Sequence, residues 1–191
     1  MKLIFATNNQ HKIEEMQAVI GSKIEIISLK QAGIDVEIPE PFDTLEDNAS
    51  AKSKFIYDLT HKNCFSEDTG LEVQALNGEP GVRSARYAGE GRSFADNIEK
   101  LLSKLNDISN RTARFRAVIS LIVDGKENQF EGICEGKIID NKRGSHGFGY
   151  DPVFLLPELN QTMGELSTEA KNHLSARGIA VAELRKFLLS L

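Results

Sequence analysis

Residues 114–139, RFRAVISLIVDGKENQFEGICEGKII, constrain the fold more than any other stretch of the chain. Two long strand-like runs flank Asp124-Gly125, a dipeptide favoured in tight hairpin turns, so an antiparallel pair is expected here. The opposite end of the chain asks for something else. KLIFA, residues 2–6, reads as a short buried strand, and HKIEEMQAVIG then sets Ile13, Met16 and Ile20 on one helical face before Gly21 ends the helix. A hairpin and a strand-loop-helix unit in one chain predict an α/β or α+β fold with a mixed sheet.

The segments between follow the same two periods. KIEIISL alternates like a strand, and Pro39 and Pro41 keep EIPEPFD out of regular structure. A helix is expected from near Thr44, with Leu45, Ala49, Ile56 and Leu59 on its apolar stripe; the position that completes the spacing is Lys52. NCFSEDTGLEVQAL, residues 63–76, reads as strand, turn, strand, with Asp68, Thr69 and Gly70 as the turn. RSFADNIEKLLSKL opens with a Ser93-x-x-Asp96 cap and aligns Phe94, Ile98, Leu101 and Leu105 as a structural stripe. The loop DNKRGSHGFGYDP precedes the apolar VFLLP, and helices close the chain, the last with Ala180, Leu184, Phe187 and Leu188 on one side. No repeat, low-complexity tract or long linker divides residues 1–191, which read as one domain.

Composition removes several function classes. Apolar residues at 40% and charged residues at 27% are globular values. A net charge of -5 argues against broad electrostatic binding to nucleic acid or anionic lipid, so an anionic ligand must be caught locally. Cys64 and Cys134 lie in apolar, strand-like contexts without metal-ligand spacing and read as reduced thiols suited to the cytoplasm. Nothing approaches the roughly 20 apolar residues of a membrane span, and the first residues run into polar sequence instead of a signal-peptide core.

Four stretches carry candidate chemistry. TNNQHK, residues 7–12, joins a buried strand to a helix, where free N-H groups and the dipole receive phosphate; Lys12 opposes that dipole unless an anion lies between, and the bland reading is a solvated lysine beside an Asn cap. Lys52 either snorkels from its stripe or reaches into a cleft that Glu40 approaches from the Pro39-Glu40-Pro41 loop. In GSHGFGYDP, residues 144–152, glycines let backbone approach a ligand and an aromatic face offers a flat base a stacking surface, with Asp151 to accept from ring N-H groups; the alternative is a connection whose aromatics plug the core edge. EAKNHLSARG, residues 169–178, places Arg177 at a helix start behind a Ser175 cap, less than two turns after Lys171.

Taken in order, TNNQHK, the Pro-Glu-Pro loop with Lys52, SEDTGL, PGVRSARYAG, GFGYDP and K-x3-SARG resemble the inosine/xanthosine triphosphate pyrophosphatase family over nearly the whole chain. The resemblance implies hydrolysis of non-standard purine nucleoside triphosphates (ITP, dITP, XTP) to the monophosphate and pyrophosphate, with Mg2+. It also implies a homodimer of α/β subunits, each with a mixed twisted central sheet flanked by helices and a cleft between two lobes. Carried over by residue, Thr7, Asn8, Asn9, Gln10, His11 and Lys12 form the phosphate loop and Lys52 is a further substrate contact. By the same resemblance Asp68 takes the position of the family's catalytic acid, a proton acceptor and magnesium ligand; Glu40 matches a second metal-binding carboxylate, and Thr69 a substrate contact. The resemblance implies that Phe148, Gly149, Tyr150, Asp151, Lys171, Ala176 and Arg177 surround the base. Arg86 lies in the SARY stretch without an assigned role.

The chain departs from the family at Ser175-Ala176-Arg177, where Ser-His-Arg is common, so an imidazole beside the base is missing and base selectivity or turnover is open; His173 stands one turn earlier. Two other readings therefore remain. One is the septum-associated type of nucleotide pyrophosphatase, which prefers other bases and against which GFGYDP and SARY argue. The other is a nucleotide-binding protein with reduced turnover. Glu67 reads as a solvated or supporting neighbour of Asp68.

Overall fold

The computed structural model describes residues 1–191. Strand β1 (Lys2–Phe5) enters helix α1 (Gln10–Ile20), which leads to β2 (Glu25–Ile27); β1 and β2 are parallel, with Leu3 opposite Ile26. Asn9 starts α1 by accepting from the Lys12 backbone N-H at 3.3 Å, which satisfies one of the otherwise unpaired first-turn donors. Ile13, Met16 and Ile20 are its buried face, as their spacing predicts. After the irregular proline segment, α2 (Leu45–Thr60) begins on a Thr44 cap with Glu46 and Asp47 in its first turn, where acids oppose the positive end of the dipole.

Strand β3 (Cys64–Val73) lies parallel to β1, and β4 (Pro80–Gly81) antiparallel to β3. Helix α3 (Phe94–Lys104) follows, then β5 (Thr112–Val123) and β6 (Lys126–Ile138). Asp124 and Gly125 join these last two with φ of 49° and 78°, the paired positive values of a two-residue hairpin turn. Short β7 (Phe154–Leu156) and β8 (Gln161–Thr162) add antiparallel edges, and α4 (Thr168–Leu174) and α5 (Ala176–Ser190) finish the chain. The sheet order is β2-β1-β3-β5-β6-β7-β8, with β4 beside β3: a mixed sheet in an α/β chain.

Contacts group the residues into two units. The first holds Met1–Asp68, Ala117–Gly132 and Arg177–Leu191. Its apolar centre joins Ile4, Ala6, Leu29, Ile34, Ile56, Cys64 and Ile122, so the SLKQAGIDVEI segment, although irregular, is part of a core. The second holds Thr69–Arg116 and Ile133–Ala176, and buries Leu71, Val73, Ile98, Leu101, Val153 and Phe154, with the Phe115 and Phe154 rings 4.6 Å apart.

Three local expectations are corrected. SEDTG is not a turn, because β3 runs unbroken through it. Its polar side chains tolerate the strand because each is partnered: Ser66 donates to the Ala49 carbonyl at 2.5 Å, and Asp68 meets Lys52. Gly70 is there for space, since a Cβ would stand 2.7 Å from the Gly81 carbonyl oxygen across the β3–β4 pair. Leu59 and Phe94 leave their stripes and are 54% and 47% exposed. Both sit in a terminal turn, Leu59 one residue before the end of α2 and Phe94 as the first residue of α3, where a helix overhangs what it packs on.

Candidate active site

Register locates the site. Phe5, the last residue of β1, pairs with Phe65, so Ser66, Glu67 and Asp68 continue β3 beyond the end of β1, beside the loop that leads into α1. Ligands in α/β sheets gather in that position, outside the carboxyl ends of parallel strands. The Phe5 and Phe65 rings stack at 4.4 Å beneath it.

Side chains alternate along β3, so Asp68 and Glu67 serve different neighbours. Asp68 belongs to Lys52, which sits buried on α2 in the apolar stripe its spacing predicts. The ammonium donates to Glu40 Oε1 at 2.7 Å, to the Glu67 carbonyl at 2.9 Å and to Asp68 Oδ1 at 3.0 Å, using its three protons on an irregular loop and a strand. Lys52 does not snorkel outward. Burial disfavours its charge, but the Asp68 and Glu40 carboxylates outweigh burial and raise its pKa. Asp68 moves upward as well: burial raises it, Lys52 opposes, and the like charge of Glu40 adds to the rise. Its carboxylate is therefore a stronger base than that of a solvated aspartate.

Glu67, expected to be solvated or a mere neighbour, is a buried hub whose side chain has 0% exposure. Arg177 Nε donates to its Oε1 at 2.9 Å, and the Lys12 ammonium lies 2.7 Å from Oε2, off the line of a hydrogen bond and so held by charge. Arg177 also bonds Glu15 on α1, and although burial opposes its charge, Glu67 and Glu15 raise its pKa. No sequence period flagged Glu67, because the signal for it is the meeting of residues 12, 67 and 177. Within this unit four carboxylates (Glu15, Glu40, Glu67, Asp68) thus face three cations (Lys12, Lys52, Arg177), an excess of one negative charge when all are ionised.

The loop residues are occupied in shaping the turn. Thr7 accepts from the Asn9 N-H at 3.1 Å, Asn8 Oδ1 accepts from the Lys30 N-H at 2.9 Å, and Gln10 donates to Glu14 at 2.9 Å; His11 is exposed in the first turn of α1. Thr69 follows Asp68 in β3.

In the second unit Phe148, Asp151 and Lys171 form a separate node. Asp151 Oδ2 accepts from the Phe148 N-H at 2.9 Å and from Lys171 Nζ at 2.7 Å, while the Lys171 ammonium stands 4.7 Å from the centre of the Phe148 ring. Gly147 permits this closeness, since a Cβ there would lie 2.0 Å from Asp151 Oδ2. Gly149 adjoins the node, and Tyr150 is buried, its hydroxyl donating to the Ser84 carbonyl at 2.9 Å. Ala176 is buried at the start of α5, and Arg86 lies in a short 3-10 turn, Ser84–Arg86. Arg177, expected beside the base, belongs to the first unit, where it meets Glu67 and Glu15. A cavity of about 460 Å³ elsewhere in this unit, bordered by Glu72, Thr112, Arg114 and Glu135, includes none of these residues.

In the first unit buried acids and lysines lie beyond the parallel strand ends of a mixed sheet, where α/β proteins bind their ligands, and in the second unit an aromatic ring, an acid and a lysine are gathered. The chain belongs to the Ham1 family, whose model matches residues 3–187. It is 48% identical over 189 residues to a dITP/XTP pyrophosphatase of Porphyromonas gingivalis, covering 98% of this chain and 97% of that one. A dITP/XTP pyrophosphatase of Flavobacterium johnsoniae is 47% identical over 184 residues, with 96% of each chain covered. The solved Ham1 protein of Staphylococcus aureus superimposes with a TM-score of 0.92 at 42% identity, over 100% of this chain and 99% of that one.

Proposed function

We propose that this chain is a nucleoside triphosphate pyrophosphatase that hydrolyses non-standard purine nucleotides, of the ITP, dITP and XTP type, to the monophosphate and pyrophosphate. The observation that carries the reading is the buried Lys52 ammonium shared by Glu40 and Asp68. Family membership and the printed activity of the 47–48% identical relatives supply the substrate class.

Glu40 and Asp68 suit a magnesium ion. No group of three or more His, Cys, Asp and Glu side chains is gathered for a metal, but magnesium commonly takes one or two carboxylates and completes its shell with substrate phosphates and water. The excess negative charge around Lys52 and Lys12 favours an added cation. Bound there, Mg2+ would supply charge neutralisation of the phosphates and a lowered pKa for water.

The residues of the chain account for the remaining chemistry. Lys12 and the positive end of the α1 dipole bind the triphosphate, and Lys52 offsets charge on the departing pyrophosphate. Asp68 orients the attacking water and takes its proton as the new oxygen–α-phosphorus bond forms and the bond from that phosphorus to the bridging oxygen breaks. Its raised pKa suits that task, and Lys52 holds the carboxylate in one rotamer. Phe148 stacks on the base, while Asp151 and Lys171 read its polar edge.

Residues 1–191 act as one functional domain in this reading, in a cytoplasmic homodimer. The test is pyrophosphate release from ITP, XTP, dGTP and dTTP with Mg2+, for wild type and Asp68→Asn. Preferential release from ITP and XTP, lost in D68N, is expected; preference for dTTP, or undiminished release in D68N, would overturn the substrate class or the role of Asp68.

A further inference from the structure

Phe94 is a large apolar ring that α3 does not bury. The buried face of that helix is Asn97, Ile98 and Leu101, whereas Phe94 is 47% exposed at its first position, with its ring 6.1 Å from that of Phe148 and tilted 36° to it. Leaving such a side chain half in water forgoes about half of the stabilisation its full burial would bring.

The two rings are held to one anchor. The buried amide of Asn97 donates to the Ser84 carbonyl at 3.4 Å and the Ala85 carbonyl at 3.0 Å, and accepts from the Ala88 N-H at 2.7 Å, which fixes the start of α3. Tyr150, two residues after Phe148, donates to the same Ser84 carbonyl at 2.9 Å. Ser84 is itself locked, its hydroxyl accepting from the Leu71 N-H at 2.9 Å and donating to the Gly81 carbonyl at 2.6 Å. The helix that carries Phe94 and the loop that carries Phe148 are therefore referenced to one backbone atom. Next to them Asp151 and Lys171 supply an acceptor and a cation, and Gly149 leaves open space where a side chain would begin.

We propose that Phe94 is a substrate-contacting residue: it forms a second aromatic surface of the base site, against which the purine of the nucleotide packs together with Phe148. This rests on the reading of the Phe148 node as the base site. A ring without polar atoms reads flatness and area, so Phe94 contributes affinity to hypoxanthine and xanthine nucleotides alike and leaves the choice between them to Asp151 and Lys171.

Two measurements test it. Phe94→Ala should raise KM for ITP and for XTP by roughly tenfold, the scale of one lost stacking contact, with kcat nearly unchanged and with inhibition by inorganic triphosphate, which has no base, unchanged. An equal loss toward inorganic triphosphate would assign Phe94 a structural role and overturn the inference. The chain has no tryptophan, so Phe94→Trp and Phe148→Trp each install a single reporter. Titration with inosine monophosphate should quench both with the same half-saturation. Quenching in F148W alone would remove Phe94 from the site while the proposed function stands; no quenching in either, with ITP still hydrolysed, would overturn the base-site reading and this inference with it.

Discussion

Replacing Glu67 by glutamine removes the charge from a side chain that is fully buried between two cations, at 2.9 Å from Arg177 and 2.7 Å from Lys12. Breaking a buried pair by taking away one partner costs about 3–5 kcal/mol, because the other charge is left uncompensated. Here the loss is smaller. Arg177 keeps Glu15, Lys12 is 20% exposed and regains some water, and glutamine keeps the shape and one acceptor oxygen. The expected cost is about 2–3 kcal/mol. At about 2–4 °C per kcal/mol for a chain of this size, Tm should fall by roughly 4–12 °C. Thermal melts followed by circular dichroism at low and high salt read this directly. The drop should persist in salt, because buried charges are little screened, whereas Lys2→Met, which removes the exposed Lys2–Glu25 pair, should change stability by less than about 0.5 kcal/mol. KM for ITP should rise more than kcat falls, since Lys12 and Arg177 lose their fixed positions, and Glu67→Asp should recover part of both effects. A Glu67→Gln protein that melts within about 2 °C of wild type and keeps its KM would refute the claim that this carboxylate positions the two cations.

Asp68→Asn should also show a pH signature without metal. Burial, opposed by Lys52 and reinforced by Glu40, raises the native pKa of Asp68. Its contribution to stability is therefore full below the ordinary aspartate value of ~3.9 and is lost as pH rises through the raised native value. D68N escapes that loss, so its Tm should gain on wild type as pH rises from about 4 through the raised native value; a constant difference would contradict the sign. Gly70→Ala should destabilise by about 1–3 kcal/mol, since the added carbon meets backbone at Gly81, and a melt unchanged by the substitution would mean that β3 and β4 approach less closely than 2.7 Å implies.

Much of this protein was legible from periodicity and motif order. The 3–4 spacing of Ile13, Met16 and Ile20, the helix start near Thr44, the Ser93 cap and the Asp124-Gly125 turn are local preferences that nearby residues decide, and all appear where the sequence places them. Lys52 was legible as an anomaly in an apolar stripe. Its partners were less so, because Glu40 and Asp68 are 12 and 16 residues away and reach it from different elements.

SEDTG shows where local reasoning ends. Its composition describes a turn, yet Ser66, Glu67 and Asp68 stand in a strand because α2, α1 and α5 bring a partner to each side chain, and Gly70 stands there because another backbone passes within contact distance. The sequence by itself determined the types of element, the order of the chemical motifs and the resemblance that names the reaction class. Tertiary structure alone decided that Glu67 is buried between Lys12 and Arg177, and that Phe94 meets Phe148. The physical reason is distance along the chain: a helical or strand period reports on neighbours a few residues away, while ion pairing and ring contact depend on groups separated by 54 to 110 residues, which only packing brings together.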